Sequence, residues 1–344
     1  MKIRTVVAAL ALMTAAACGS ATESPGGSAG STAKEVRLGY FPNITHSTAL
    51  VGTEKGLYAK HLGVPVKTST FNAGPAAIEA IFSGAIDATY IGPNPAINAW
   101  AKSKGEAIKI VAGSASGGVY LVTKPEINGV ADLKGKKIAT PQLGNTQDVA
   151  LRYWLKQNGL NTDTKGGGDV HIVPQENAQT LQTFATGDID GAWVPEPFAS
   201  RLVLESKGKI LLDERELWPG KQFVITHLIV RQAWAKENPD LLKKLIEAHV
   251  EATKFINDDP AAAATTVNAA IEKLTQKPLK QEVLDSAFKN ITFTNDPIAS
   301  SLTGSAEHAI EVGLLEPVDL NGIYDLKILN EVLAAQGQQS IKDK

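Results

Sequence analysis

Neutral hydrogen-bonding side chains occupy two loops that lie about one hundred residues apart, each directly before a predicted helix. Thr45 and His46 are in the first loop, and Asn145 and Thr146 are in the second. The free backbone N–H groups and the dipole of a helix start favour an anion. Two such starts facing one cleft would hold an oxyanion by neutral donors alone. Ordinary helix capping needs the same residue types and is the alternative for the two threonines, while a surface position is the alternative for His46.

Further polar and aromatic residues follow the ends of other predicted strands. In open α/β sheets, ligands bind outside the carboxyl ends of the strands, so these residues are candidates for the same cleft. They are Tyr40, Asn43, Asn72, Gly74, Asn94, Ser114, Gln142, Asn177 and Trp193. Turn chemistry is the alternative for Asn94 and Ser114. Core packing is the alternative for the aromatic residues Tyr40 and Trp193, and it is the expectation for Phe41.

The chain repeats itself between residues 80–90 (AIFSGAIDATY) and residues 183–193 (TFATGDIDGAW). Each copy has the pattern of a helix, a glycine that ends the helix, and a buried strand. The last residue of each copy is aromatic. Solenoid units recur at roughly 20 to 50 residues, so this longer repeat predicts two similar lobes with a ligand cleft between them. The corresponding loops are 43–47 with 142–146, Asn72 with Asn177, and Asn94 with Glu196.

Strands alternate with helices from about residue 35, which predicts mainly parallel sheets with helices on both faces. The fold class is α/β, with two Rossmann-like lobes, a hinge and an inter-lobe cleft. Residues 35–118 and 231–344 are predicted to form lobe I with C-terminal helices, and residues 119–230 to form lobe II. A strand over residues 222–230 is expected to return towards lobe I, and helices are expected from Pro239 and from Pro260.

Signatures of catalysis and of metal binding are weak. Cys18 is the single cysteine, and the chain has no H-E-x-x-H, no Walker loop and no G-x-S-x-G. The six histidines show no metal-ligand spacing. We therefore expect no enzyme, no cofactor and no metal. The formal net charge of −2 argues against nucleic acid as a partner.

Residues 1–17 are predicted to be a targeting segment. Lys2 and Arg4 precede a short apolar run at residues 6–17, which is too short to span a bilayer. The run ends in small residues directly before Cys18 and resembles a bacterial lipobox. Cys18 is therefore predicted to become a lipidated first residue, with a plain signal peptide as the alternative. The Gly/Ser-rich residues up to 34 are predicted to be a flexible tether.

Three segments resemble the substrate-binding proteins of ABC importers, in the branch that takes aliphatic sulfonates, taurine and nitrate. They are LGYFPNITH at 38–46, DLKGKKIA at 132–139 and GDIDGAW at 187–193. The similarity covers about residues 35 to 260. It implies a type II periplasmic-binding fold whose lobes close on a ligand and deliver it to a membrane permease.

The resemblance implies a monomeric, extracytoplasmic lipoprotein that is anchored to the cell membrane and binds a small sulfonate-type anion or a zwitterion such as taurine. Nitrate and a thiamine-type precursor are the alternative ligands. An enzyme on the same bilobal fold and a ligand sensor for a membrane signalling protein are the alternative functions.

Glu196 is the candidate whose charge does not suit an anion site. A carboxylate beside a bound anion is repulsive unless another group pairs with it, and Arg201 is five positions on. Glu196 could instead meet the amine of a zwitterion or face the permease. The remaining alternative is a surface carboxylate in a turn flanked by prolines.

Overall fold

A computed structural model of the chain describes residues 32–343. Cys18 and the predicted targeting segment lie outside the described residues. The first part of the chain alternates between strands and helices: β1 (Val36–Tyr40), α1 (Ser47–Glu54), α2 (Leu57–Leu62), β2 (Val66–Thr70), α3 (Gly74–Phe82), β3 (Ala88–Ile91), α4 (Pro93–Lys102) and β4 (Ile108–Gly117).

The middle of the chain forms a second alternating series: β5 (Val119–Thr123), β6 (Lys137–Thr140), α5 (Thr146–Gln157), β7 (His171–Pro174), α6 (Asn177–Thr186), β8 (Gly191–Pro195), α7 (Phe198–Ser206) and β9 (Lys209–Asp213). The last part is mainly helical: β10 (Val224–Arg231), α8 (Gln232–Glu237), α9 (Pro239–Asp258), α10 (Pro260–Thr275), α11 (Gln281–Lys289), β11 (Ile291–Phe293), α12 (Ala299–Glu311) and α13 (Lys327–Ala335). The helices expected from Pro239 and Pro260 are confirmed.

The strands form two sheets that share one arrangement of three parallel strands. The sheet of lobe I has the order β11-β4-β10-β3-β1-β2, and the sheet of lobe II has the order β7-β6-β8-β5-β9. β1 pairs in parallel with β2 and β3, and β6 pairs in the same way with β7 and β8. The shared arrangement β2-β1-β3 and β7-β6-β8 agrees with the repeat in the sequence.

Most strands of each sheet run in the same direction, as predicted, and each sheet also contains a central antiparallel strand. β10 runs antiparallel to β3 and β4, and β5 runs antiparallel to β8 and β9. β5 and β10 each follow a segment that crosses from the other lobe. The chain direction reverses at that crossing, so both strands run antiparallel to their neighbours. β10 pairs in the sheet of lobe I, as expected for a strand that returns towards that lobe.

Two chain crossings connect the lobes. The first is the passage from β4 to β5 through Gly117 and Gly118, whose φ angles are +79° and +70°. Two successive residues in the left-handed region suit glycine because side chains disfavour that region. The second crossing is the segment of residues 214–223 between β9 and β10. The parallel strands of both lobes therefore end near a common cleft.

Candidate ligand-binding cleft

The carboxyl ends of parallel strands from both lobes meet at one polar cavity, which we call the cleft cavity. Its volume is about 20 Å³. Its lining residues are Phe41, Asn43, Thr45, His46, Asn72, Gly92, Pro141, Asn145, Thr146, Gln147, Asn177, Pro195 and Ile225. Among them are the predicted candidates Asn43, Thr45, His46, Asn72, Asn145, Thr146 and Asn177, so the structure brings the two candidate loops together.

Helix starts from both lobes point at the cleft cavity. In lobe II, Asn145 precedes α5, and α6 begins at Asn177. In lobe I, a short 3-10 turn over Ile44–His46 leads into α1, and Gly92 precedes α4. The positive ends of these helices and their first N–H groups favour an anion in the space between them.

The side chains at these starts do not cap their own helices, so the capping alternative is wrong. Neither Asn43 nor Asn145 makes a side-chain cap hydrogen bond. Thr45 Oγ1 instead donates to Asn43 Oδ1 at 2.8 Å. Thr146 Oγ1 is buried and has no hydrogen-bond partner among the described residues. Its hydroxyl can therefore bind a ligand without giving up another bond.

Three of the five amide side chains that line the cavity, those of Asn43, Asn145 and Asn177, offer further polar groups. The Asn145 amide donates to Gln147 Oε1 at 2.7 Å. Asn43 Oδ1 is occupied by Thr45, which leaves the Asn43 amide protons as the groups that can donate to a ligand. Asn177 Oδ1 is buried and has no partner in the part of the chain that the structure describes.

His46 is a buried, neutral hydrogen-bond donor, so the alternative of a surface histidine is wrong. Its ring stacks on Phe41 with 4.3 Å between centroids. The backbone N–H of Phe41 donates to His46 Nδ1 at 3.2 Å, so the proton of the neutral ring is on Nε2. Burial lowers the pKa of His46 to about 3. Phe41 packs in a hydrophobic core cluster, as expected, and it also lines the cavity.

The cleft cavity has no Lys, Arg, Asp or Glu among its lining residues. The nearest carboxylate on α5 is Asp148 in the first turn, which is buried and pairs with Arg152 through Nε at 2.9 Å. Asp148 also accepts from Thr140 Oγ1 and from the backbone N–H of Gly144. These partners offset the negative charge that would otherwise oppose an anion at the start of α5.

A hydrogen bond joins the two lobes beside the cleft cavity. Asn72 Nδ2 donates to Glu176 Oε1 at 2.6 Å. Two open grooves flank the cavity, with volumes of about 560 and 710 Å³, and Asn72 lines both of them. The candidate Gln142 lies in the smaller groove.

Gly74 packs so closely against Pro95 that a Cβ there would lie 2.2 Å from Pro95 Cγ.

Four other candidates lie outside the cleft cavity. Tyr40 is buried in the core of lobe I. Asn94 Nδ2 donates to the backbone oxygen of Ser305 at 2.9 Å. Ser114 is buried within β4. Trp193 is fully buried in β8, where its Nε1 donates to Glu214 Oε2 at 2.6 Å.

Glu196 is buried away from the cleft cavity, so it is neither a surface carboxylate nor a partner of Arg201. Its oxygens accept from the backbone N–H of Ser200 at 3.0 Å and from Ser200 Oγ at 2.9 Å, within the first turn of α7. Burial raises the pKa of Glu196. Arg201 pairs with Glu205 at 2.9 Å. Glu196 therefore accepts hydrogen bonds from donors in the first turn of α7.

Five lining residues were not predicted from the sequence: Gly92, Pro141, Gln147, Pro195 and Ile225. Gly92 and Pro195 lie at corresponding ends of β3 and β8, a match that the internal repeat could have shown. Ile225 is on β10, which has no counterpart in the aligned repeat.

Two similar lobes whose helix starts face one cleft are the type II periplasmic-binding protein fold, as the sequence predicts. The nitrate-binding protein NrtA from Synechocystis PCC 6803 superposes with a TM-score of 0.77 at 18% identity, covering 89% of this chain and 90% of that chain. The alkanesulfonate-binding protein SsuA from Xanthomonas axonopodis gives a TM-score of 0.68 at 19% identity, covering 83% and 95%.

Residues 29–271 match the model of the NMT1-like family, and the chain belongs to that family. A binding protein of Brucella abortus is 28% identical over 298 residues, which are 84% of this chain and 89% of the relative. The taurine-binding periplasmic protein of Escherichia coli is 27% identical over 207 residues, 59% of this chain and 61% of the relative. These relatives are binding proteins, which confirms the resemblance and the prediction of a binding protein rather than an enzyme.

No helix among the described residues is both long and apolar enough to cross a membrane. No cluster of three or more His, Cys, Asp or Glu side chains there has the arrangement of a metal site.

Proposed function

We propose that this protein is the extracytoplasmic receptor of an ABC importer and that its lobes close on a small sulfonate-type anion or zwitterion. The observation that carries the proposal is the meeting of helix starts from both lobes at a cavity lined by neutral side chains. Neutral donors and helix dipoles stabilise an oxyanion without a buried counter-charge. The names of the taurine-binding and nitrate-binding relatives support this ligand chemistry.

The size of the cleft cavity supports a mechanism in which the lobes open and close. A cavity of about 20 Å³ has room for about one water molecule. A sulfonate can enter only when the two crossings bend and the lobes move apart. Closure of the lobes then excludes water and strengthens the hydrogen bonds of the bound sulfonate. Release of the unchanged solute to the permease needs the same opening.

The flanking grooves support a sulfonate with an organic part over a bare inorganic anion. The larger groove shares Phe41, Asn43, Asn72 and Asn177 with the cleft cavity. An anionic head held between the helix starts could therefore extend a short organic group towards this groove.

Thermal unfolding in the presence of candidate ligands tests the proposed function. We expect ethanesulfonate or taurine to raise the Tm. A ligand that binds only the folded state increases the free energy of unfolding in proportion to the logarithm of the ratio of ligand concentration to Kd. Nitrate and a thiamine-type pyrimidine are the comparison ligands. A Tm that none of these compounds changes, together with no small molecule in the mass spectrum of the purified protein, would reject this ligand chemistry.

Replacing Thr146 with valine should weaken ligand binding by about tenfold to a hundredfold, because a hydrogen bond to a charged group contributes about 1.5–3 kcal/mol. Thr146 is only 5% exposed and valine has nearly the same shape, so the Tm of the free protein should not fall. Calorimetric titration measures the affinity. The matched control is Thr123→Val, because Thr123 Oγ1 is also buried without a partner among the described residues but lies in β5. Equal affinities for the two variants would contradict the role of Thr146.

We also propose that Cys18 carries the lipid anchor of the mature protein. Metabolic labelling with radioactive palmitate in a bacterial host should label the wild-type protein, and Cys18→Ser should remove the label. Labelling that persists in Cys18→Ser would reject this residue as the anchor.

A further inference from the structure

A second pocket, of about 290 Å³, lies along α5 and shares no lining residue with the cleft cavity. We call it the aromatic pocket. Its lining residues are Ala150, Tyr153, Trp154, Gln157, Asn158, Glu214, Leu217, Trp218 and His308. They come from α5, from the second crossing between the lobes and from α12.

A buried carboxylate without a counter-charge forms one wall of the aromatic pocket. Glu214 is 1% exposed. Its Oε2 accepts from Trp193 Nε1 at 2.6 Å, and its Oε1 accepts from Trp218 Nε1 at 3.4 Å. No described Lys, Arg or His forms an ion pair with it. A buried carboxylate without a cation is costly, and burial raises the pKa of Glu214 to about 7.

Half-buried aromatic rings form the other walls. Tyr153 and His308 stack with 3.6 Å between centroids, and Trp218 lies 5.2 Å from His308. Burial lowers the pKa of His308 to about 4, so its ring is neutral at neutral pH and supplies no positive charge. Aromatic rings attract cations through their negative faces.

We propose that the aromatic pocket binds a small organic cation, an ammonium ion with alkyl substituents, whose charge faces Glu214 and whose alkyl groups contact Trp218, Tyr153 and Trp154. The combination of a desolvated carboxylate with several aromatic rings recognises an ammonium ion by charge and by cation–π attraction together. The pocket volume is at the lower end for small-molecule sites, which suits a compact cation.

Further acidic residues lie near the pocket. Burial raises the pKa of Tyr153, and Glu311 and Glu307 contribute to this rise, although Glu311 is paired with Lys156 at 3.6 Å. Asp213 is next to Glu214 in the chain and also raises its pKa, although it is itself paired with Arg215 at 2.5 Å. Because Glu214 has no ion-pair partner among the described residues, its carboxylate would repel an anion, so the aromatic pocket and the cleft cavity differ in the charge that they select.

Titration calorimetry with tetramethylammonium tests the proposal on the wild-type protein. We expect saturable binding at one site, about tenfold or more weaker in Glu214→Gln because the charge attraction is lost. The matched control is Glu216→Gln, whose carboxylate is exposed, pairs with Lys221 and does not line the pocket. Uncharged tert-butanol, which has a similar shape, should bind much more weakly than the cation.

Saturation-transfer NMR on the wild-type protein keeps the test independent of any variant. We expect magnetisation to pass from aromatic protein protons to the methyl groups of tetramethylammonium. The absence of saturable binding, equal binding of tert-butanol, or unchanged binding in Glu214→Gln would each overturn the proposal. None of these results bears on the ligand of the cleft cavity.

Discussion

Replacing Gly92 with alanine should lower the affinity of the cleft for its ligand by about tenfold to a hundredfold while the variant folds normally. A Cβ on Gly92 would lie 2.5 Å from Thr146 Oγ1, which belongs to the other lobe. Gly92 has φ −73° and ψ 163°, a conformation that alanine adopts freely. The added methyl group would therefore obstruct the closed state, and such overpacking costs about 1–3 kcal/mol.

Affinity and stability should be measured together for the Gly92 variant, by calorimetric titration and by urea unfolding. The control is Gly129→Ala, because Gly129 also has extended backbone and a Cβ there would meet no atom within 4 Å. Unchanged affinity in Gly92→Ala would mean that the ligand-bound lobes do not approach each other as closely as they do here.

Replacing Glu214 with glutamine should remove a pH dependence of about 3 kcal/mol from the free energy of unfolding. The pKa of Glu214 rises from 4.5 to about 7 in the folded protein because the carboxyl group is buried. Each unit of pKa shift corresponds to 1.36 kcal/mol. The folded state holds the proton more tightly than the unfolded state, so this contribution is fully present below pH 4.5 and is lost as the pH rises to about 7.

Urea unfolding of the wild-type protein and Glu214→Gln at pH 4.5 and pH 8 measures this difference. The wild-type protein should lose about 3 kcal/mol relative to the variant between these two values. Glu216→Gln is the control, since that carboxylate is exposed. Wild-type and Glu214→Gln stabilities that change in parallel with pH would show that Glu214 titrates at the same pH in the folded and unfolded states.

The repeat made most of the fold predictable. A glycine stop and a buried strand at residues 80–90 and again at 183–193 correspond to β3 and β8, which occupy the same place in the two sheets. The antiparallel direction of β5 and β10 in these sheets was not predictable in this way. It depends on where the chain crosses between lobes, and a local pattern of strands and helices does not specify which neighbour β5 or β10 will choose.

The site was predictable where a polar residue directly precedes a helix. Asn43, Thr45, Asn145 and Thr146 line the cavity because the chain turns at the end of a parallel strand and presents its next helix start to the cleft. Residues within strands were harder to place. Trp193 lies inside β8, fully buried beside Glu214, and the sequence does not show which strand residues face the opposite lobe.

Hydrogen–deuterium exchange with and without the best ligand of the thermal panel tests most directly whether both lobes hold one solute. We predict slower exchange in peptides that cover residues 43–47 and in peptides that cover residues 142–147, with the same dependence on ligand concentration. Both segments line the cleft cavity and would become protected in one closing step. Protection of one segment alone, or of a surface that includes neither, would contradict the clasping of a solute between the two lobes.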